Sequence, residues 1–388
     1  MEKYKYYAVM FTRYLGDSLY YPFISLYLSY RGLIDSKIGL LLSITPLIGM
    51  VMNPIFTKIC KNLRITKNLL MIITILEAVF INVIGFASGF VPLTICTVMI
   101  AVFGSSHYGL MDSIVTVYAW KNNKSYSSIR IFGGISYVLG TALGGLLIKY
   151  LGYSWCFITA SSLFVITGII YHLMLPVDNE EEDKESEAES KKQYRDIFKN
   201  KHFIFFLIAY VMYYTLCFSS DHFFPLFLES KGFDASNIGA VYSYYVLTEV
   251  ILMLILSRFK DRLNGDILLI ISFITMLLRQ TINYLDPSSM VVIIASGLRG
   301  ISIAIFFHVS YTYCLKLVGK TLTTTGIMLM NLGQLLGLFI MDNVSGNIVE
   351  SYGYKVFYLV MMISTLSLVV IQITRYLFLK RQKDIINI

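Results

Sequence analysis

Charge is scarce in this sequence: Asp, Glu, Lys and Arg make up 14% of it, against 56% hydrophobic residues. A soluble chain of this length needs more polar surface than that, so a water-soluble fold is excluded. A chain whose exterior is solvated by lipid has no such need. Cysteine is sparse as well. Cys60, Cys96, Cys156, Cys217 and Cys314 lie far apart, and no Cys-x-x-Cys pair occurs. That spacing argues against a disulfide framework or a cysteine metal site and leaves small, buried apolar side chains. The sequence has no Walker-type phosphate loop and no Gly-x-Ser-x-Gly elbow. ATP-driven chemistry and membrane hydrolysis therefore lack support, and no enzyme activity, cofactor or metal is expected.

What the sequence does contain is hydrophobic runs long enough to cross a bilayer, whose core of roughly 30 Å takes about 20 apolar residues per helix. The runs predict twelve spans: Tyr6–Tyr30, Lys37–Cys60, Asn68–Ser88, Val91–Ala119, Ser128–Leu151, Tyr153–Leu175, Phe203–Leu228, Ser236–Ser257, Asp266–Leu285, Ser289–Leu315, Thr321–Asn347 and Tyr354–Leu379. The first is too long and too polar for a cleaved signal peptide, lacks a small-residue cleavage site, and is expected to remain as a helix. Sidedness follows from the basic residues. With both termini in the cytoplasm, 24 of the 32 Lys and Arg fall on the inner connections and termini. Only Arg31, Lys37, Lys149, Lys231 and Lys355 fall outside, and Arg13, Arg279 and Arg299 lie within spans. Such a bias orients a chain in a cell membrane. It also accounts for the net charge of +8 through anchoring beside anionic lipid, without a nucleic-acid partner.

The composition changes abruptly between residues 178 and 202, where Glu180-Glu181-Glu182-Asp183 opens an acidic run and Lys191, Lys192, Arg195, Lys199 and Lys201 follow. This stretch reads as a solvated cytoplasmic linker between residues 1–177 and 203–388. The flanking halves repeat. Leu28, Arg31, Gly32, Ser36, Ile38, Gly39 and Ser43 match Leu228, Lys231, Gly232, Ser236, Ile238, Gly239 and Ser243 at an offset of 200; Gly145 and Gly152-Tyr153 match Gly346 and Gly353-Tyr354 at 201. Two parallel six-helix repeats imply an all-α membrane fold of two pseudo-symmetric bundles, with a solute site near the bilayer midplane.

Several short motifs appear in a fixed order. Pro22-Phe-Ile-Ser-Leu-Tyr-Leu closes the first span, and Pro46 and Pro54 mark the second. Leu110-Met-Asp112 lies in the fourth, Arg130-Ile-Phe-Gly133-Gly134 opens the fifth, Glu249 lies in the eighth, and Leu278-Arg279 and Leu298-Arg299-Gly300 follow. On these residues the chain resembles the major facilitator superfamily, in the branch of lactose-permease-like and phenylpropionate or nucleoside proton symporters. The resemblance implies gating roles for Asp112 and Arg130 and for the Asp261-Arg262 pair. The matching inner loop of the first half, Phe56-Thr-Lys58-Ile-Cys-Lys61, lacks the Asp. Gly140-Thr141-Ala-Leu-Gly144-Gly145 places Thr141 where drug antiporters of the superfamily usually carry Pro.

A charged side chain at the bilayer centre costs about 2.5–3.5 kcal/mol on insertion scales, so each one needs a partner, a wet cavity or a task. Arg13 and Asp17 are i,i+4 on one face. They form either an intrahelical ion pair or a proton-accepting carboxylate biased by its neighbour, with Tyr20 and Tyr21 continuing the polar surface. Tyr242, Tyr245 and Glu249 make a stripe that is either packing or part of a site. Arg279 and Arg299 offer planar recognition of a carboxylate, or else neutralise Glu249, Asp17 or Asp221 in a buried network. His107 and His308 are hydrogen-bonded filler or proton carriers. Asn331 and Gln334 bind solute or join helices, and Glu77 reads as structural. Gly140-x-x-x-Gly144 allows close helix approach and reads as a gating interface. Asp17, Asp221, Glu249 and His308 are thus the proton-coupling candidates, and Arg13, Tyr20, Tyr21, Tyr245, Arg279, Arg299, Asn331 and Gln334 the solute-binding ones. The function expected is a monomeric secondary transporter moving a small polar or aromatic solute (a sugar, a nucleoside or an aromatic acid) inward with protons. A proton-driven exporter of drugs or metabolites is the alternative.

Overall fold

The computed structural model describes residues 2–60, 62–123, 126–174, 197–258 and 264–386, and no strand occurs among them. Helix is what a lipid-solvated backbone requires, because it satisfies its N–H and C=O groups within one segment. The order is α1 (Glu2–Tyr20), a 3₁₀ turn (Tyr21–Phe23), α2 (Ile24–Tyr30), α3 (Asp35–Ile59), α4 (Leu63–Ile84), α5 (Phe90–Gly104), α6 (His107–Lys121), α7 (Tyr126–Leu151) and α8 (Tyr153–Leu173). Then come α9 (Lys201–Ser230), α10 (Ala235–Ser257), α11 (Gly265–Leu285) and α12 (Ser289–Ile386). The last is one run interrupted only at Gly319 and Gly353, whose φ values of 75° and 76° are non-helical.

Ten helical segments of the described residues are long and apolar enough to cross a membrane. The difference between ten and the twelve expected spans has two local causes. The first helix is broken at Pro22, where the missing N–H turns the backbone into a 3₁₀ turn. The remaining 19-residue α1 carries Glu2, Lys3, Lys5, Arg13 and Asp17 and is not among the ten. The last two expected spans fall in one 53-residue segment, Thr325–Leu377, which contains the Gly353 break. The expected fourth span, Val91–Ala119, is divided at Ser105–Ser106 into α5 and α6.

The repeat extends to backbone detail. Gly32 and Gly232 have φ of 80° and 84° and end α2 and α9 with matching bonds: Gly32 N to Ser29 O and Leu33 N to Leu28 O, then Gly232 N to Glu229 O and Phe233 N to Leu228 O. Such a left-handed C-terminal residue is a glycine because a Cβ would strain it. Asn62 and Asn264 each cap the next helix through their side-chain oxygens, to Ile65 N at 2.8 Å and to Asp266 N at 2.9 Å.

The chain separates into two compact units. One comprises residues up to 183 with His222–Leu247 and Asp342–Glu350; the other comprises 184–221, Thr248–Met341 and Ser351–Ile388. Each has its own apolar core. In the first, Tyr6 stacks on Tyr118 at 3.6 Å among Met10, Leu70, Met111 and Tyr171. In the second, Tyr213 packs on Phe306 at 4.1 Å among Phe203, Phe273 and Met330. Of the expected linker, only residues 197–202 are described; the rest lies outside the described residues, as do Asp261 and Arg262.

Candidate functional site

Among the described residues, each unit holds a buried cluster of Arg, Asp and Glu side chains at the level of its apolar core. In the first unit, α1 presents Arg13 and Asp17 one turn apart, and Arg13 Nε lies 3.1 Å from Asp17 Oδ2. The forked end of Arg13 meets Glu77 on α4, with Nη1 at 2.5 Å from Oε2 and Nη2 at 3.0 Å from Oε1. Tyr108 donates to Asp17 Oδ2, and Tyr21 donates to Glu77 Oε1 at 3.4 Å. Arg13, Asp17 and Glu77 are 0% exposed. The Phe164 ring faces the guanidinium at 4.1 Å. Gly104 makes room for Glu77, since a Cβ there would overlap the carboxylate.

In the second unit Asp221 is held between two arginines. Arg279 Nη1 reaches its Oδ1 at 2.8 Å, and Arg299 Nε reaches its Oδ2 at 2.8 Å. Arg299 Nη1 also pairs with Glu249 on α10. Two guanidiniums and two carboxylates leave this cluster neutral. Glu249 is its least buried member, with a side chain 19% exposed. The network expected around Arg279 and Arg299 therefore includes Asp221 and Glu249, but Asp17 belongs to the other cluster.

The remaining candidates distribute as follows. Tyr20 is buried edge-on against Phe157, while Tyr21 reaches the first cluster. Tyr245 is buried against Tyr242, with ring centroids 4.8 Å apart. Gln334 accepts from Tyr210 at 3.0 Å, whereas Asn331, one turn earlier, is exposed. His308 is half-buried in α12 and takes part in neither cluster. His107 is fully buried, with Nδ1 3.1 Å from Thr74 Oγ1 and Nε2 3.2 Å from Tyr171 Oη. Asp112 and Arg130 do pair, at 3.1 Å, on a partly exposed face with Tyr126 bonded to both.

The glycines of α7 serve two different contacts. Gly140 and Gly144 face α1 and the 3₁₀ turn, where a Cβ would meet Ser18 and Phe23. The glycine of α7 that approaches α10 is Gly145. A Cβ on it would come within 2.5 Å of Ala235 O and 3.0 Å of Ser236 Cα. A Cβ on Gly239 of α10 would in turn come within 3.0 Å of Gly145 Cα, and Thr141 bonds Ser243 at 2.7 Å between hydroxyl oxygens. The repeat-related pair, Gly39 of α3 and Gly346 of α12, approaches equally closely.

Sequence reasoning missed the central place of Glu77 and the roles of Tyr108 and Tyr21 as donors. Glu77 gave the same signal as Asp17, a carboxylate inside an apolar helix, but its partner lies 64 residues away and no spacing reveals it.

An all-helical chain with apolar membrane-length helices and buried ion clusters inside them is a multi-pass membrane protein of the transporter class. The sequence pattern of the MFS_1 like family matches residues 4–360, and the chain belongs to that family. It is 24% identical over 316 residues to the uncharacterized transporter YwbF of Bacillus subtilis (strain 168), covering 81% of this chain and 78% of that one. It is 23% identical over 377 residues to the lactose permease of Klebsiella oxytoca, covering 92% and 90%. Its fold is that of the nucleoside transporter NupG, with a TM-score of 0.86 at 15% identity over 96% of this chain and 99% of that one. The family and these relatives are transporters, not enzymes.

Proposed function

We propose that the protein is a proton-coupled symporter of the cell membrane that imports a small, neutral, hydroxyl-rich solute, a sugar or a nucleoside, by alternating access. The reading takes twelve membrane-crossing helices in two bundles, residues 1–177 and 203–388, joined by the 178–202 linker with both termini cytoplasmic. The basic-residue bias and the sequence repeat support that arrangement. The observation that carries the function is the pair of buried ion clusters in membrane helices of a transporter-family chain. Buried charge of this kind is costly to retain and typically marks an ion or solute pathway.

The solute class follows from charge. Arg279 and Arg299 already balance Asp221 and Glu249, so an anionic solute would add an unbalanced negative charge to a neutral cluster. A neutral polyol can instead accept from the guanidiniums and donate to the carboxylates, as sugar and nucleoside hydroxyls do. The names of the lactose permease and the nucleoside transporter agree with that class. Asp17 and Glu249 are the proton-coupling groups in this reading, and Arg299 and Gln334 contact solute.

The test is uptake by proteoliposomes with an acidic exterior, using labelled lactose, maltose, a nucleoside and phenylpropionate. Accumulation of a neutral solute that collapses with a protonophore is expected. Accumulation of phenylpropionate alone would replace the solute class, and loss of preloaded solute against its gradient would replace import by export.

A further inference from the structure

The two clusters differ in one respect that their shared chemistry conceals. The second contains two guanidiniums and two carboxylates, and both oxygens of Asp221 accept from an arginine. The first contains one guanidinium and two carboxylates, all fully buried. If both carboxyls were ionised, a net negative charge would stand in the membrane interior unanswered, a situation that buried groups relieve by neutralising.

The hydrogen bonds distinguish the two carboxyls. Glu77 takes both terminal nitrogens of Arg13 and a bond from Tyr21, so each of its oxygens has a donor. This is the fork-on-fork pairing that favours an ionised carboxylate. Asp17 receives both its donors, Arg13 Nε and Tyr108 Oη, on Oδ2, while Oδ1 is buried with no hydrogen-bond partner among the described residues. A carboxylic acid matches that pattern: one oxygen accepts as a carbonyl, and the other carries the hydrogen.

We propose that the Arg13–Asp17–Glu77 triad holds one proton in the state described here, on Oδ1 of Asp17, and that Glu77 is the positioning residue that keeps it there by occupying the forked end of Arg13. The other ionisable groups around the triad are the phenols of Tyr14, Tyr20, Tyr21, Tyr108 and Tyr171, the imidazole of His107, and, behind Tyr14, the mutually paired Arg130 and Asp112. Phenols are neutral at ordinary pH. Both nitrogens of His107 are engaged by hydroxyls. A metal cation does not fit, because hard cations take about six or more oxygen ligands and a single bare oxygen is offered.

The inference deepens the proton-coupling reading by naming where the proton rests and what retains it. Its test requires no transport, so the two can fail separately. Infrared difference spectra of the full chain in liposomes at neutral pH, wild type minus Asp17→Asn, should show one carboxylic-acid C=O band that shifts in D₂O. Glu77→Gln, which leaves one carboxylate for one guanidinium, should remove the same band completely. Tyr108→Phe tests the assignment without changing the charge count: the band should persist and move to higher frequency as its carbonyl loses a donor. A difference spectrum without the band would place the balancing charge elsewhere, for example on His107, and overturn the proposal. So would a band of full intensity in folded Glu77→Gln, or, should that variant not fold, an unshifted band in Tyr108→Phe.

Discussion

Gly145→Ala is the smallest change that tests whether the α7–α10 contact must separate and reclose. The new methyl would sit 2.5 Å from Ala235 O and 3.0 Å from Ser236 Cα, both backbone atoms, so no side chain can rotate away to admit it. Overpacking of this kind costs about 1–3 kcal/mol. At about 1.4 kcal/mol per tenfold, the close-packed arrangement should lose roughly 5- to 140-fold in relative population. Gly346→Ala should act alike, since a Cβ there would approach Asp35 O at 2.5 Å and Gly39 Cα at 3.0 Å. The two sites share no partner atom, so the double variant should show close to the sum of the two effects. The assay is alkylation of a single thiol at Thr141→Cys, a position 0% exposed in the closed contact, in a background without the native cysteines. Gly145→Ala should speed alkylation within the range above. An unchanged rate in a folded, monodisperse variant would show that the contact relaxes in place and does not gate.

Three further outcomes follow from the clusters and the surface. Asp221→Asn removes the partner of two buried arginines and should cost about 3–5 kcal/mol of stability, read as a large fall in melting temperature in detergent; Glu249→Gln, at the more exposed end of the same network, should cost clearly less. Gly104→Ala should displace the Glu77 carboxylate from Arg13 and lower proton-driven uptake while solute exchange continues, and uptake at the wild-type rate would remove Glu77 from the coupling account. On the surface, Lys149 and the backbone N–H of Asn237 hold Asp234 below the usual carboxylate range. A depressed folded-state value means that this contribution is present above the unfolded value of about 3.9 and is lost only as pH falls through the lower folded value. Asp234→Asn should therefore leave the pH dependence of stability between pH 5 and 8 unchanged, and a difference in that window would contradict the assignment.

Much of the fold was legible because the membrane imposes a one-dimensional code. Apolar length gave the helices, and Gly32, Gly152, Gly232 and Gly353 punctuate them with positive φ where the repeat places them. The grouping of Asp221, Arg279, Arg299 and Glu249 could be anticipated because these are buried charges in need of partners. Partner choice could not. Arg13 has an obvious neighbour in Asp17, yet its forked end goes to Glu77, on a helix 64 residues further along, where Gly104 leaves space for the carboxylate. The glycine motif on α7 does mark a close helix approach, but its spacing does not say which helix is approached. Gly140 and Gly144 satisfy the small-residue spacing, but they serve packing against α1, and the close approach to α10 falls to Gly145, one residue further around the helix.

Coupling itself is tested most directly by letting solute drive protons. In proteoliposomes without a pH gradient, an inward gradient of the transported solute should make the lightly buffered exterior more alkaline as protons enter with it, and Asp17→Asn should carry solute without that change. Solute entry by the wild-type protein with no movement of protons would contradict the account.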